Sequence, residues 1–141
     1  MTVILDASSL VILGSNDDLK RQAELTFAMG RHALLDLVIV FRRRPSHPHP
    51  DRLPSEDFLV LRSAMSSANT PIRPELLSEV ELKKLRAMYE PYAHSLCYYF
   101  LMRLPPWIPQ ERKHDNWQGG LGDQPALVYI AGGAFRNSTD G

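Results

Sequence analysis

Two histidines flanking a proline, His47-Pro48-His49, are the most metal-like feature of this 141-residue chain. In an extended stretch, side chains two residues apart point the same way, so both imidazoles could reach one ion. Zinc sites also recruit carboxylates or cysteines at fixed spacing. Here only Asp51 is near, a single carboxylate on the same proline-rich segment, so the pattern reads as a solvated loop and no metal is expected. His32 and Asp36, and again Glu90 and His94, stand four residues apart and share a helix face. An acid–histidine pair can serve a nucleophile, but no Ser or Cys can be placed beside either pair. Their expected role is helix stabilisation. Cys97, between Leu96 and Tyr98, has no cationic neighbour in sequence and reads as a buried, inert thiol. Gly119-Gly120-Leu121-Gly122 follows no strand and precedes no Lys-Ser/Thr, which excludes a phosphate loop. No catalytic, cofactor-binding or metal-ligating residue emerges, and a non-enzymatic chain is expected.

Two features remain that could meet another molecule. Arg42, Arg43 and Arg44 form the only dense basic cluster. Their position favours the negative end of a helix dipole, and they could also touch acidic headgroups or phosphate. The tract containing Tyr89, Tyr92, Tyr99 and Trp107, interleaved with Pro91, Pro105 and Pro106, holds more rings than one helix face needs. Those four aromatics are the candidate interaction surface, since rings bury large area with few rotatable bonds.

The elements that carry these residues are helical. Val3 to Leu13 is apolar apart from Asp6, Ser8 and Ser9; Leu5, Ser9 and Ile12 at helical spacing favour a helix over a strand. Such an abrupt start at a core-like segment suggests a chain cut from something longer. After Gly14-Ser15-Asn16, with Asn16 or Asp17 as cap, the stripe Leu19, Ala23, Phe27, Gly30, Leu34, Leu37, Phe41 predicts a long amphipathic helix over about 17–43. Pro45 to Pro54 reads as an extended loop. Ser55-Glu56-Asp57 opens a shorter helix that fades at Ser66-Ser67. Ser78 followed by Glu81 is a capping-box pattern opening a helix over about 78–104, kinked at Pro91 and stopped by Pro105-Pro106. Phe27, Leu34, Leu37, Leu85 and Leu96 are expected to be buried together. The expected fold is all-α: a small bundle or orthogonal array of three to four helices over residues 1–118, then a Gly-rich, irregular tail over 119–141 holding one short strand at Ala126 to Ile130.

Composition bounds the rest. Sixteen basic residues balance sixteen acidic ones, so the chain as a whole gains little from a phosphate backbone and nucleic acid is not an expected partner. A single cysteine rules out an internal disulfide. The longest apolar runs, Leu34 to Phe41 and Leu96 to Met102, fall far short of the roughly 20 residues that cross a bilayer. A cytoplasmic location is expected.

The run Ile4-Leu5-Asp6-Ala7-Ser8-Ser9-Leu10-Val11, followed by Gln22-Ala23-Glu24-Leu25-Thr26-Phe27-Ala28-Met29 and Arg31-His32-Ala33, resembles the cytoplasmic C-terminal region of bacterial two-transmembrane ion-channel-like proteins of the potassium-channel family type. Tyr89-Glu90-Pro91-Tyr92, Leu104-Pro105-Pro106-Trp107 and Asp115-Asn116-Trp117-Gln118 are similar to the end of that region, so the likeness runs over roughly residues 2 to 118. Pore helices and a selectivity filter are missing, and the segment from Gly119 departs from the pattern. The resemblance implies a domain at the cytoplasmic side of the inner membrane, tethered to a membrane-embedded parent, with an assembly or regulatory role and self-association. The alternative is a free-standing helical adaptor that holds a protein partner on its Tyr/Pro/Trp surface.

Overall fold

The computed structural model describes residues 1–68 and 70–108; the Gly-rich segment, the strand expected at Ala126 to Ile130 and the Asp115–Gln118 motif lie outside them. Among the described residues there are five α-helices and no strand: α1 (Thr2–Gly14), α2 (Asp17–Val40), α3 (Ser55–Ser67), α4 (Glu79–Ala87) and α5 (Glu90–Tyr99), with a 3-10 turn at Pro74–Leu76. A small all-helical bundle therefore describes this part of the chain.

Only Ser15 and Asn16 separate α1 from α2, which forces the two into an antiparallel hairpin. The helices approach closely where α2 carries glycine: a Cβ on Gly30 would sit 3.2 Å from Leu5 Cδ2. Gly14, the last residue of α1, is needed for a different reason. A Cβ there would lie 2.3 Å from Ile72 Cγ2, and its carbonyl accepts the Arg73 N–H at 2.7 Å, so the turn after α3 docks directly on the end of α1. Asn16 occupies the N-cap position of α2 but its side chain makes no cap bond. Ser78 does cap α4, its hydroxyl accepting the Glu81 N–H at 3.4 Å.

The helix expected over about 78–104 is two helices rather than one kinked rod, which raises the helix count to five. Proline has no N–H, and its ring crowds the carbonyl one turn back, so Pro91 is tolerated only in the first turn of a helix. Pro91 occupies that first turn of α5, and Tyr89, with φ −137°, forms the joint. The second helix also ends earlier than Pro105 requires. Leu101 adopts φ +56°, and Met102 N–H reaches back to the Cys97 carbonyl at 2.8 Å. This Schellman closure satisfies the last carbonyls. The end of α2 repeats it: Arg42 has φ +51° and Arg43 N–H bonds the Val38 carbonyl at 2.8 Å.

Two apolar clusters form the interior. Leu5, Phe27, Leu34, Val38, Tyr89, Ala93 and Leu96 make the first, with Leu85 and Tyr92 packed at its edge. Leu53, Phe58, Leu77 and Leu82 make the second, between α3 and α4. Leu37, expected in the core, is 37% exposed; at 3.6 residues per turn the buried face drifts, and Val38 takes its place. Ser9 is fully buried and donates to the Leu5 carbonyl at 2.7 Å, so its hydroxyl needs no outside partner.

Candidate functional site

The densest polar chemistry is a closed network of two arginines and three carboxylates. Asp6 enters it from α1. Arg52, from the proline-rich loop, meets Asp6 through both ends of its fork: Nη1 to Oδ1 at 3.1 Å and Nη2 to Oδ2 at 2.6 Å. The same guanidinium donates to Glu90 Oε1 at 3.0 Å, and its Nε and Nη2 donate to the Pro105 carbonyl at 3.0 and 2.8 Å. Arg86, at the end of α4, grips Glu90 through Nε and Nη2 at 3.0 and 3.1 Å. It also donates to the Leu53 carbonyl at 3.2 Å and to Asp51 Oδ1 at 2.5 Å. Planar two-point pairing of this kind is specific to arginine.

Aromatic side chains complete the enclosure. The Tyr89 hydroxyl donates to Asp6 Oδ1. Trp107 donates to Glu90 Oε1 at 3.4 Å, and both guanidinium carbons lie near its ring, 5.9 Å for Arg52 and 5.7 Å for Arg86. Arg52 and Glu90 side chains are almost wholly buried. Burial disfavours the charge on each arginine, but their carboxylate partners outweigh it and raise both above the usual arginine value. Burial also acts to raise Asp51, yet hydrogen bonds from Arg86 and the Leu53 N–H, with the charges of Arg86 and Lys83, hold it below 3.8. Tyr89 is pushed upward, first by burial and then by the Asp6 carboxylate, so the phenol stays neutral.

Such an arrangement ties distant pieces of chain together. Every carboxylate faces a guanidinium, and neither an unpaired base nor an attacking hydroxyl lies in the network. Beside it is a cavity of about 270 Å3 bordered by His47, His49, Asp51, Lys83, Arg86 and Glu90. The His49 and His94 rings stack 4.7 Å apart at 25°, face to face rather than converging on a point. Among the described residues, no group of three His, Cys, Asp or Glu side chains is placed to hold a metal ion.

The residues singled out in the sequence separate accordingly. Glu90 and His94 do not pair with each other: Glu90 turns to Arg52 and Arg86, and His94 to His49. Neither do His32 and Asp36 form an ion pair among the described residues. Cys97, expected to be buried, is half-buried; burial raises its thiol, against the opposing charges of Arg52 and the N-terminal ammonium. Of the four aromatics read as a surface, Tyr89 is 0% exposed and belongs to the core. Its ring packs edge-on against Phe27, centroids 5.9 Å apart. Tyr92 and Trp107 are half-buried, and only Tyr99 is exposed. The network itself was missed by sequence reasoning, although a carboxylate inside the apolar α1 segment is the signal that a buried cation must come from elsewhere.

The chain matches no family model, no curated protein and no solved structure. No helix among the described residues is long and apolar enough to cross a membrane.

Proposed function

We propose that this chain is a non-enzymatic helical module that works by contact, its copies associating through the outer face of the α1–α2 hairpin. The reading extends the resemblance to the cytoplasmic C-terminal region of bacterial channel-like membrane proteins, and gives the domain an assembly or regulatory role beside a membrane-embedded parent. One observation carries it: a groove of about 350 Å3 along the hairpin, bordered by Ile4, Ala7, Val11, Leu19, Gln22 and Thr26 among others, without an ionisable side chain in its lining. Ile4 and Leu19 are exposed there. Small side chains such as Ala7 and Ala23 let a second pair of helices approach closely. A second copy is the occupant that fits best, because an isologous contact sets an uncharged face against itself. The chain's net charge of zero adds no long-range repulsion.

The ionic network supports the same reading, since its charged groups are paired internally and hold the hairpin on α4 and α5. The adaptor alternative loses ground, because Tyr89 lies in the core and Trp107 is engaged with Arg52 and Arg86. Sedimentation velocity tests the proposal. The wild-type chain is expected to sediment above its monomer mass, and Ile4→Arg or Leu19→Arg to return it to monomer with helicity unchanged. A chain that remains monomeric at the highest attainable concentration contradicts it.

A further inference from the structure

The C-terminal ends of α2 and α5 meet. The Phe41 ring lies 5.5 Å from Tyr99 and 4.9 Å from Phe100, so both Schellman closures sit at one end of the molecule. That end is unusually apolar for a surface. Ile39, Val40, Tyr98, Tyr99, Leu101 and Met102 are all exposed, with Leu101 at 94% and Tyr98 at 79%. It is also positively charged. Residues 37–44 and 98–104 contain Arg42, Arg43, Arg44 and Arg103 and no acidic residue. Arg43 stacks over the Tyr99 ring at 5.3 Å, and its buried Nε has no hydrogen-bond partner among the described residues. A cavity of about 230 Å3, bordered by Leu34, Leu37, Leu96, Phe100 and Met102, lies at the same end. Leu101 holds a left-handed backbone conformation that leucine disfavours while packing against almost nothing, so no intramolecular contact explains its side chain.

We infer that this end is a peripheral docking surface for an anionic lipid bilayer. Apolar side chains with arginines beside them in the chain match a membrane interface: leucine and methionine enter the acyl boundary, tyrosines sit at headgroup level, and arginines extend to phosphates. Charge argues against a second copy at this site, since four arginines would face four more. Nucleic acid would not engage the apolar cap. The surface is separate from the α1–α2 groove, so the inference stands whether or not the copies associate there.

Flotation of the full chain with vesicles tests it. Binding is expected to phosphatidylcholine vesicles containing phosphatidylglycerol, to weaken as salt is raised, and to be negligible with phosphatidylcholine alone. Leu101→Asp keeps the backbone conformation, which aspartate tolerates better than leucine, and is expected to reduce binding about tenfold or more. Arg44→Glu is expected to reduce it at least about fivefold, the worth of one basic residue near an anionic surface. The inference is overturned if anionic vesicles are not bound, if zwitterionic vesicles bind equally, or if Leu101→Asp leaves binding unchanged. It is equally overturned if Leu101→Asp dissolves an oligomer in the absence of lipid, which would make this end a contact between copies.

Discussion

Arg52 and Asp6 are joined by two hydrogen bonds, of 3.1 and 2.6 Å, across 46 residues of chain. Through the same guanidinium the loop after α2 also reaches Glu90 at the start of α5 and Pro105 beyond its end. One side chain therefore fixes where the proline-rich loop crosses the bundle.

Removing that guanidinium leaves Asp6 without its bidentate partner and Glu90 with only Arg86 and Trp107. Arg52→Met is expected to cost about 3–5 kcal/mol, the usual consequence of breaking a buried ion pair from one side. Arg52→Lys is expected to recover little, because an ammonium cannot reach Asp6, Glu90 and the Pro105 carbonyl in one plane. Urea denaturation of the three proteins checks both. Equal midpoints for wild type and Arg52→Lys would show that charge alone suffices.

The first apolar cluster offers a sharper comparison. Leu34 is buried and its neighbour Leu37 is not. Leu34→Ala is expected to cost about 2–5 kcal/mol, and Leu37→Ala clearly less. Matched losses at the two positions would mean that the face of α2 is misassigned.

Strain at the end of α5 predicts a gain. Leu101 is almost fully exposed at φ +56°, so glycine or asparagine there removes an unfavourable conformation without removing packing. Leu101→Asn is expected to stabilise the fold by about 0.5–1 kcal/mol, measured as a raised denaturation midpoint at unchanged slope.

Stability is expected to fall as pH is lowered, through His94. Burial first, then the His49, Arg52 and Arg86 charges, hold this imidazole below 6.5 in the folded chain, against an opposing pull from Glu90. The unfolded chain therefore takes up the proton more readily, so stability is complete above about pH 6.5 and declines below it until the folded-state value is passed. Asp51, also lowered in the folded chain, adds a second decline below its unfolded value near 4. Denaturation at pH 7.5 and at pH 5.5 in wild type and His94→Gln isolates the first effect: the variant is expected to lose less on acidification.

Local signals made much of this legible in the sequence. The Gly14-Ser15-Asn16 stop, the opening at Ser55 and the Ser78 cap each act within a few residues, and each coincides with an observed boundary; the α2 stripe marks the start of its helix, which ends at Val40 rather than near residue 43. Pro91 signalled an interruption, but whether a proline bends a helix or starts a new one depends on the residues packed around Tyr89. For the ionic network, Asp6 in an apolar segment signals that a cation is needed, but not which residue supplies it. Asp6, Arg52 and Glu90 are brought together only by the tertiary fold, and Glu90 beside His94 looked like a local pair until two arginines arrived from elsewhere. Tyr89 misled for the same reason: an aromatic beside a proline looks alike whether its ring faces Phe27 or solvent.

The most direct measurement of the contact role is site-directed crosslinking on the α1–α2 face. In a Cys97→Ser background, Gln22→Cys places a thiol at the groove, and Lys83→Cys places one on α4, away from it. Under mild oxidation Gln22→Cys is expected to yield a covalent dimer that Ile4→Arg abolishes, while Lys83→Cys remains monomeric. No dimer through Gln22→Cys, or equal dimer through Lys83→Cys, would contradict association through the hairpin.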